Sequence, residues 1–234
     1  MNQKHQKKKT VSVRRRKKYK KKKRIMLICL MLITAGAALM GILKIRNAGS
    51  LWAASGTDGE PADYSSIRPE MTVALLTPNV YSRPQTPLEK VNGIVIHYTA
   101  NPGSTAMNNR DYFEGLKDSC ENYVSSHFVV GIDGEIVQCI PTSEIAYASN
   151  SRNSDTISVE VCHLDESGAF TQETYDALVE LTGWLCLYLD VPPENVIRHY
   201  DVTGKICPKY YVEHEDAWEA FKKDVAKWAK KRKS

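Results

Sequence analysis

Hydrophobic positions along the chain change their period several times, and each change predicts an element. Residues 25–43 form an uncharged apolar run of 19 residues, long enough as a helix to cross the roughly 30 Å hydrocarbon core of a bilayer. Residues 46–70 follow, rich in Gly, Ser, Ala, Asp and Pro with no sustained period, and read as a flexible stalk. Beyond residue 70 short β-branched runs alternate with amphipathic stretches. Residues 91–97, with continuous Ile94-Val95-Ile96, predict a buried strand, and residues 108–117 a helix. Residues 126–131 and 135–140 flank the Asp133-Gly134 pair, which predicts a hairpin. Residues 156–162 and 196–199 read as further strands. In residues 171–189, Tyr175, Leu178, Thr182, Leu185 and Leu189 share one helical face, and Pro192-Pro193 closes the pattern. In residues 214–229, Trp218, Phe221, Val225 and Trp228 make one stripe, with acids leading and lysines trailing as the helix dipole favours. The sum is an α/β domain over residues 71–234: a central mixed β-sheet flanked by helices, preceded by one transmembrane helix.

Charge splits the chain in two. The first 24 residues carry 14 Lys or Arg and no acid, whereas all 27 Asp and Glu lie beyond residue 46. A basic segment abutting an apolar run predicts a cytoplasmic tail (residues 1–24) and a signal anchor (residues 25–45), with the remainder outside the membrane. The apolar run exceeds an ordinary signal-peptide core of about 7–15 residues. The outer part carries a formal excess of 11 negative charges, which argues against nucleic acid as its ligand. Anionic lipid headgroups are the natural partner of the basic tail.

Cysteine and histidine placement introduces chemistry. Five cysteines lie outside the apolar run: Cys120, Cys139, Cys162, Cys186 and Cys207. Their odd number leaves at least one for a metal or a free thiol, while a Cys120–Cys139 bridge stays open. His5 and His214 sit among charges, and His163 opens a polar loop, so these three read as solvated. His97, His127 and His199 lie at or near strand ends. His97 and His199 each close a β-branched run, and Cys207 follows beside Pro208. Two imidazoles and a thiolate suit zinc with a fourth position left for water.

The segments 94–99, 126–141, 157–162 and 197–208 resemble the zinc-dependent N-acetylmuramoyl-L-alanine amidases, a family shared with phage amidase lysozymes and animal peptidoglycan recognition proteins. The resemblance covers essentially residues 71–234. It implies Zn2+ held by His97, His199 and Cys207, peptidoglycan as substrate, and hydrolysis of the amide joining N-acetylmuramic acid to L-alanine. Lys205, two residues before the third ligand, matches a family lysine and would oppose oxyanion charge. Glu160 matches a strand glutamate that serves as general base; burial raises its pKa and nearby zinc lowers it. Tyr98, His127 and Tyr147 would line the substrate side, with His127, not itself a ligand, in the site wall or just behind it. Asp201 could brace the ligand loop. Two departures stand out: Ser126 replaces a tyrosine of phage relatives, and Tyr147-Ala148 replaces a Trp-His pair. The implied setting is the outer face of a bacterial plasma membrane.

Overall fold

The computed structural model describes residues 63–233. The basic tail, the expected membrane segment and most of the stalk lie outside the described residues. Among the described residues, no helix is long and apolar enough to cross a membrane.

Six strands form one sheet: β1 (Thr72–Val73), β2 (Gly93–Ile96), β3 (Phe128–Val130), β4 (Ile136–Gln138), β5 (Thr156–Val161) and β6 (Val196–Arg198). Their order is β1-β4-β3-β5-β2-β6. The β3–β4 hairpin is antiparallel, whereas β1–β4, β3–β5, β2–β5 and β2–β6 pair in parallel. The mixed sheet expected from the alternation of strands and helices is therefore present. The central strands are covered on both faces, which explains why β2 reads as an unbroken apolar run: all four of its residues are buried.

Among the described residues five helices pack with the sheet: α1 (Ala106–Ser119), α2 (Gln172–Tyr188), α3 (His199–Thr203), α4 (Lys209–Glu213) and α5 (Glu215–Arg232). Thr105 caps α1 through a capping box with Asn108, and Cys120 ends it in the left-handed region. Thr171 caps α2, and its hydroxyl also donates to Ile132 O, tying the helix start to the hairpin turn. That turn needs Gly134, whose φ is +82°.

One core cluster joins Ile94, Ile96, Phe128, Val159 and Val161 to Leu178, Leu185, Trp218 and Phe221 of α2 and α5. The opposite face buries Val129, Val137 and Cys162 against Ala106 and Phe113 of α1. The sheet is thus the middle of three layers.

Two sequence expectations need correction, and the Cys120–Cys139 pairing left open is decided. His163 is buried, 2% exposed, because the loop after β5 folds back over Tyr98 instead of projecting into water. Cys120 and Cys139 are both free thiols, one exposed and one buried. The last part of the expected stalk is packed: Tyr64–Ile67 form a 3-10 turn, Trp184 Nε1 donates to Tyr64 O, and the Arg68 guanidinium lies 5.9 Å from the Trp184 ring centre.

The α2–α5 contact depends on a missing side chain. A Cβ at Gly183 would stand 2.6 Å from Trp228 Cε3, and that ring is held from elsewhere by Arg232, 3.9 Å from its centre. Overpacking of this kind costs about 1–3 kcal/mol, against roughly 1 kcal/mol gained in helix propensity. Gly183→Ala is expected to lower stability by a net of about 0–2 kcal/mol in urea denaturation; a more stable variant would show that Trp228 moves aside freely.

Candidate functional site

The site forms where parallel strands β2, β5 and β6 end. His97 follows β2 directly, and its backbone N–H donates to Val159 O at 2.9 Å, extending the ladder by one residue. His199 follows β6 as the first residue of α3. The chain then turns at Gly204 (φ +77°) and returns, with the Tyr200 N–H donating to Cys207 O at 2.9 Å. That bond brings Cys207 back beside the histidines.

Arg198 fixes the turn from within. Its buried guanidinium pairs with Asp201 at 2.9 Å and with Glu215, donates to Tyr211 O, and lies 5.4 Å from the ring centres of both Tyr200 and Trp218. Asp201 also accepts the Arg198 backbone N–H at 2.8 Å. The bracing expected of Asp201 therefore acts through Arg198.

The donor atoms of His97, His199 and Cys207 all lie within 4.8 Å of one another, and all three residues are buried. The imidazole rings are 4.6 Å apart, and His97 Nδ1 faces Cys207 Sγ at 3.9 Å. Zinc with N and S ligands at about 2.0 and 2.3 Å separates tetrahedral donors by roughly 3.5 Å, so the trio fits such an ion with little adjustment. Electrostatics agree. Burial, then the neighbouring His199 and Lys205, holds His97 well below its ordinary pKa; burial and then Lys205 lower that of His199. Both rings are thereby kept neutral, the ligating form. Burial pushes the Cys207 thiol up to about 12.

Glu160 lies on β5 in the position paired with His97, one step past the Ile96–Val159 register pair. Its Oε2 is sealed from solvent with no hydrogen-bond partner. Burial lifts its carboxyl pKa to about 8, and Lys205 draws it partly back. Lys205 itself is exposed on the turn before Cys207, so its charge reaches the site from the open side.

The remaining expected site residues separate. Tyr98 sits beside the site, its ring 5.2 Å from that of His163. Tyr147 stacks edge-on against Tyr123, with ring centres 5.9 Å apart, two residues before Ser149. His127 is not in the cleft. It is 1% exposed; Nδ1 accepts the Ser158 N–H at 3.0 Å, and Nε2 faces Glu144 O at 2.8 Å. With both ring nitrogens engaged inside the protein, nothing remains to offer a substrate. Ser126, standing where relatives carry tyrosine, is also buried and donates toward Phe128 O and Ser158 O.

Burial lowers the His127 pKa to about 4. The unfolded chain therefore binds a proton near pH 6.5 that the folded chain refuses until about pH 4, and stability falls as pH drops through that window. Between about pH 7.5 and about pH 5 the loss from this residue is about 2 kcal/mol. Urea denaturation should show a shallower slope in His127→Asn than in the parent; equal slopes would remove His127 as a source.

Sequence reading passed over Ser149 and Asn150. Ser149 Oγ lies 3.1 Å from His97 Nε2, and Asn150 Oδ1 lies 3.0 Å from His199 Nε2. Neither belongs to a periodic segment; the only local hint is Asn150 itself, a residue that tolerates the left-handed φ of +52° found there.

A mostly parallel sheet with two imidazoles at its strand ends, and a thiol returned beside them by the loop after α3, defines an α/β protein with three donors that could hold a metal ion. Residues 87–210 match the family described as N-acetylmuramoyl-L-alanine amidase. The chain belongs to that family.

It is 37% identical over 160 residues to N-acetylmuramoyl-L-alanine amidase CwlL of Bacillus licheniformis, covering 63% of this chain and 44% of that protein. It is 32% identical over 168 residues to N-acetylmuramoyl-L-alanine amidase BlyA of Bacillus subtilis (strain 168), with the same coverages of 63% and 44%. The chain thus spans less than half the length of these curated relatives. Among solved structures, PlyL matches at 30% identity and a TM-score of 0.58, over 67% of this chain and 96% of that one. The PlyG catalytic domain matches at 29% identity and a TM-score of 0.59, over 68% and 95%.

Proposed function

We propose that this chain is a zinc-dependent N-acetylmuramoyl-L-alanine amidase that cleaves the amide between N-acetylmuramic acid and L-alanine in peptidoglycan. The observation that carries the reading is the cluster of His97, His199 and Cys207 at the ends of β2 and β6, with Glu160 on the neighbouring strand β5, in a chain of this family. His97, His199 and Cys207 would hold Zn2+. When bound, the ion supplies a Lewis acid that polarises the scissile carbonyl and acidifies water.

The chain's own groups supply the rest. Glu160 takes the proton of the attacking water at its carboxylate and delivers it to the departing L-alanine amine. Burial lifts this carboxyl to about 8; a cation held by His97, His199 and Cys207 would draw it toward the operating pH, where acid–base exchange is most effective. Lys205 opposes negative charge developing on the carbonyl oxygen. Tyr98 and Tyr147 offer rings at the approach to the site.

The apolar run at residues 25–43, with 14 basic side chains before it, supports a single-pass anchor with the N-terminus cytoplasmic and residues 71–234 as the amidase domain outside. The acidic outer domain would then work on a polymer lying above the bilayer.

Incubating the full chain with purified peptidoglycan and analysing products by mass spectrometry tests the reaction. Released stem peptides beginning with L-alanine are expected. Binding without release would make the protein a wall receptor instead.

A further inference from the structure

The segment between Tyr147 and Thr156 carries no expected site residue, yet two of its neighbours touch the two histidines. Ser149 Oγ is 3.1 Å from His97 Nε2, and Asn150 Oδ1 is 3.0 Å from His199 Nε2. Both contacts use Nε2, while His97 Nδ1 is the atom that faces the Cys207 thiol.

The tautomers follow from donor and acceptor chemistry. A neutral imidazole has one N–H and one lone pair. The Asn150 carbonyl oxygen only accepts, so His199 carries its proton on Nε2 and its lone pair on Nδ1. The Ser149 hydroxyl can accept or donate. When His97 presents Nδ1 toward the thiol side as a ligand, its Nε2–H donates to Ser149.

The loop is built to hold this pair of contacts. Asn153 Oδ1 accepts the backbone N–H groups of both Ala148 (3.1 Å) and Ser149 (2.6 Å). Arg152 pairs with Asp155 at 2.7 Å, and the Thr156 hydroxyl donates to Arg152 O at 2.6 Å. Ser149 is 1% exposed, and Asn150 takes a φ of +52°. Successive residues thereby point their polar ends at two different rings.

We infer that Ser149 and Asn150 are positioning residues that fix the tautomer and ring orientation of His97 and His199, so that both offer Nδ1 to the zinc ion. This rests on the zinc reading above. Partners that orient a ligand histidine in this way are typically worth about 10–100-fold in metal affinity.

Asn150 allows a separation of roles. Asn150→Gly keeps the left-handed backbone and removes the acceptor, whereas Asn150→Asp keeps an acceptor oxygen. Zinc affinity of the full chain, measured by competition with a chelator, should fall about 10–100-fold in Asn150→Gly and in Ser149→Ala and be retained in Asn150→Asp. Nitrogen-15 spectra of the metal-free full chain should show His199 protonated at Nε2 in the parent, with the Nδ1–H form appearing in Asn150→Gly. Equal zinc affinity in Asn150→Gly and the parent would reduce Asn150 to a turn former and overturn the inference. So would an Nδ1–H tautomer at His199 in the parent. A parent chain that binds no zinc would defeat the zinc reading alone, because the metal-free spectra still decide whether the loop sets the tautomers.

Discussion

Glu160→Gln should lower cleavage of peptidoglycan by about 10²–10⁴-fold, the usual worth of a positioned general base, while zinc content and unfolding midpoint stay at parent values or above. The substitution is nearly isosteric. It also replaces a group whose ionisation is opposed by burial, since the carboxyl pKa stands at about 8, so the fold has no reason to weaken. Product release followed by mass spectrometry, alongside metal analysis of the same sample, gives both readouts. Near-parent turnover would remove Glu160 as the base and send the search to other groups at the site. Loss of both zinc and turnover would mean instead that the carboxylate helps to hold the ion.

Cys207→Ala should abolish turnover by a different route, through the metal. Four-ligand zinc sites bind with roughly 10–16 kcal/mol, so one ligand's even share is about 3 kcal/mol, or about 100-fold in affinity. Alanine nearly reproduces the apolar volume of a buried thiol, so the domain should still fold. Cys207→Asp, which supplies a carboxylate oxygen that zinc also accepts, should retain the ion. The pH dependence has a definite sign. Burial pushes the thiol up to about 12, so zinc must displace its proton at neutral pH, and affinity should rise with pH. Titration calorimetry in buffers of different ionisation enthalpy should report release of about one proton on zinc binding to the parent chain. Absence of that proton would show that the thiol is not a ligand.

The parts of the site carried by strand ends were legible from sequence. His97 and His199 each close a β-branched run, and a run of that kind has few ways to be placed once it is buried on both faces; Glu160 was singled out only through the family resemblance. Cys207 was readable because eight residues and a glycine turn separate it from His199. What escaped was set by distant contacts. His163 looks like a loop residue by its neighbours, yet the loop after β5 folds inward over Tyr98. His127 has the same strand-end placement as the ligands, but Ser158 on the adjacent strand and the Glu144 carbonyl absorb both its nitrogens. Ser149 and Asn150 lie in an aperiodic stretch shaped by Asn153 and by a backbone conformation that no spacing rule reveals. Tyr64–Ile67 read as stalk because only Trp184, 120 residues away, gives that turn somewhere to pack.

The N–H of His97 bonded to Val159 O has a consequence for how this active centre tolerates change. Because β2 and β5 run in parallel and in register to their ends, the backbone positions from which His97 and Glu160 project are one interstrand spacing apart, about 4.8 Å. That length belongs to the peptide hydrogen bond and not to any side chain. Loops on the rim can lengthen, shorten or exchange residues without altering it. The chemistry is mounted on a ruler that mutation cannot easily rescale.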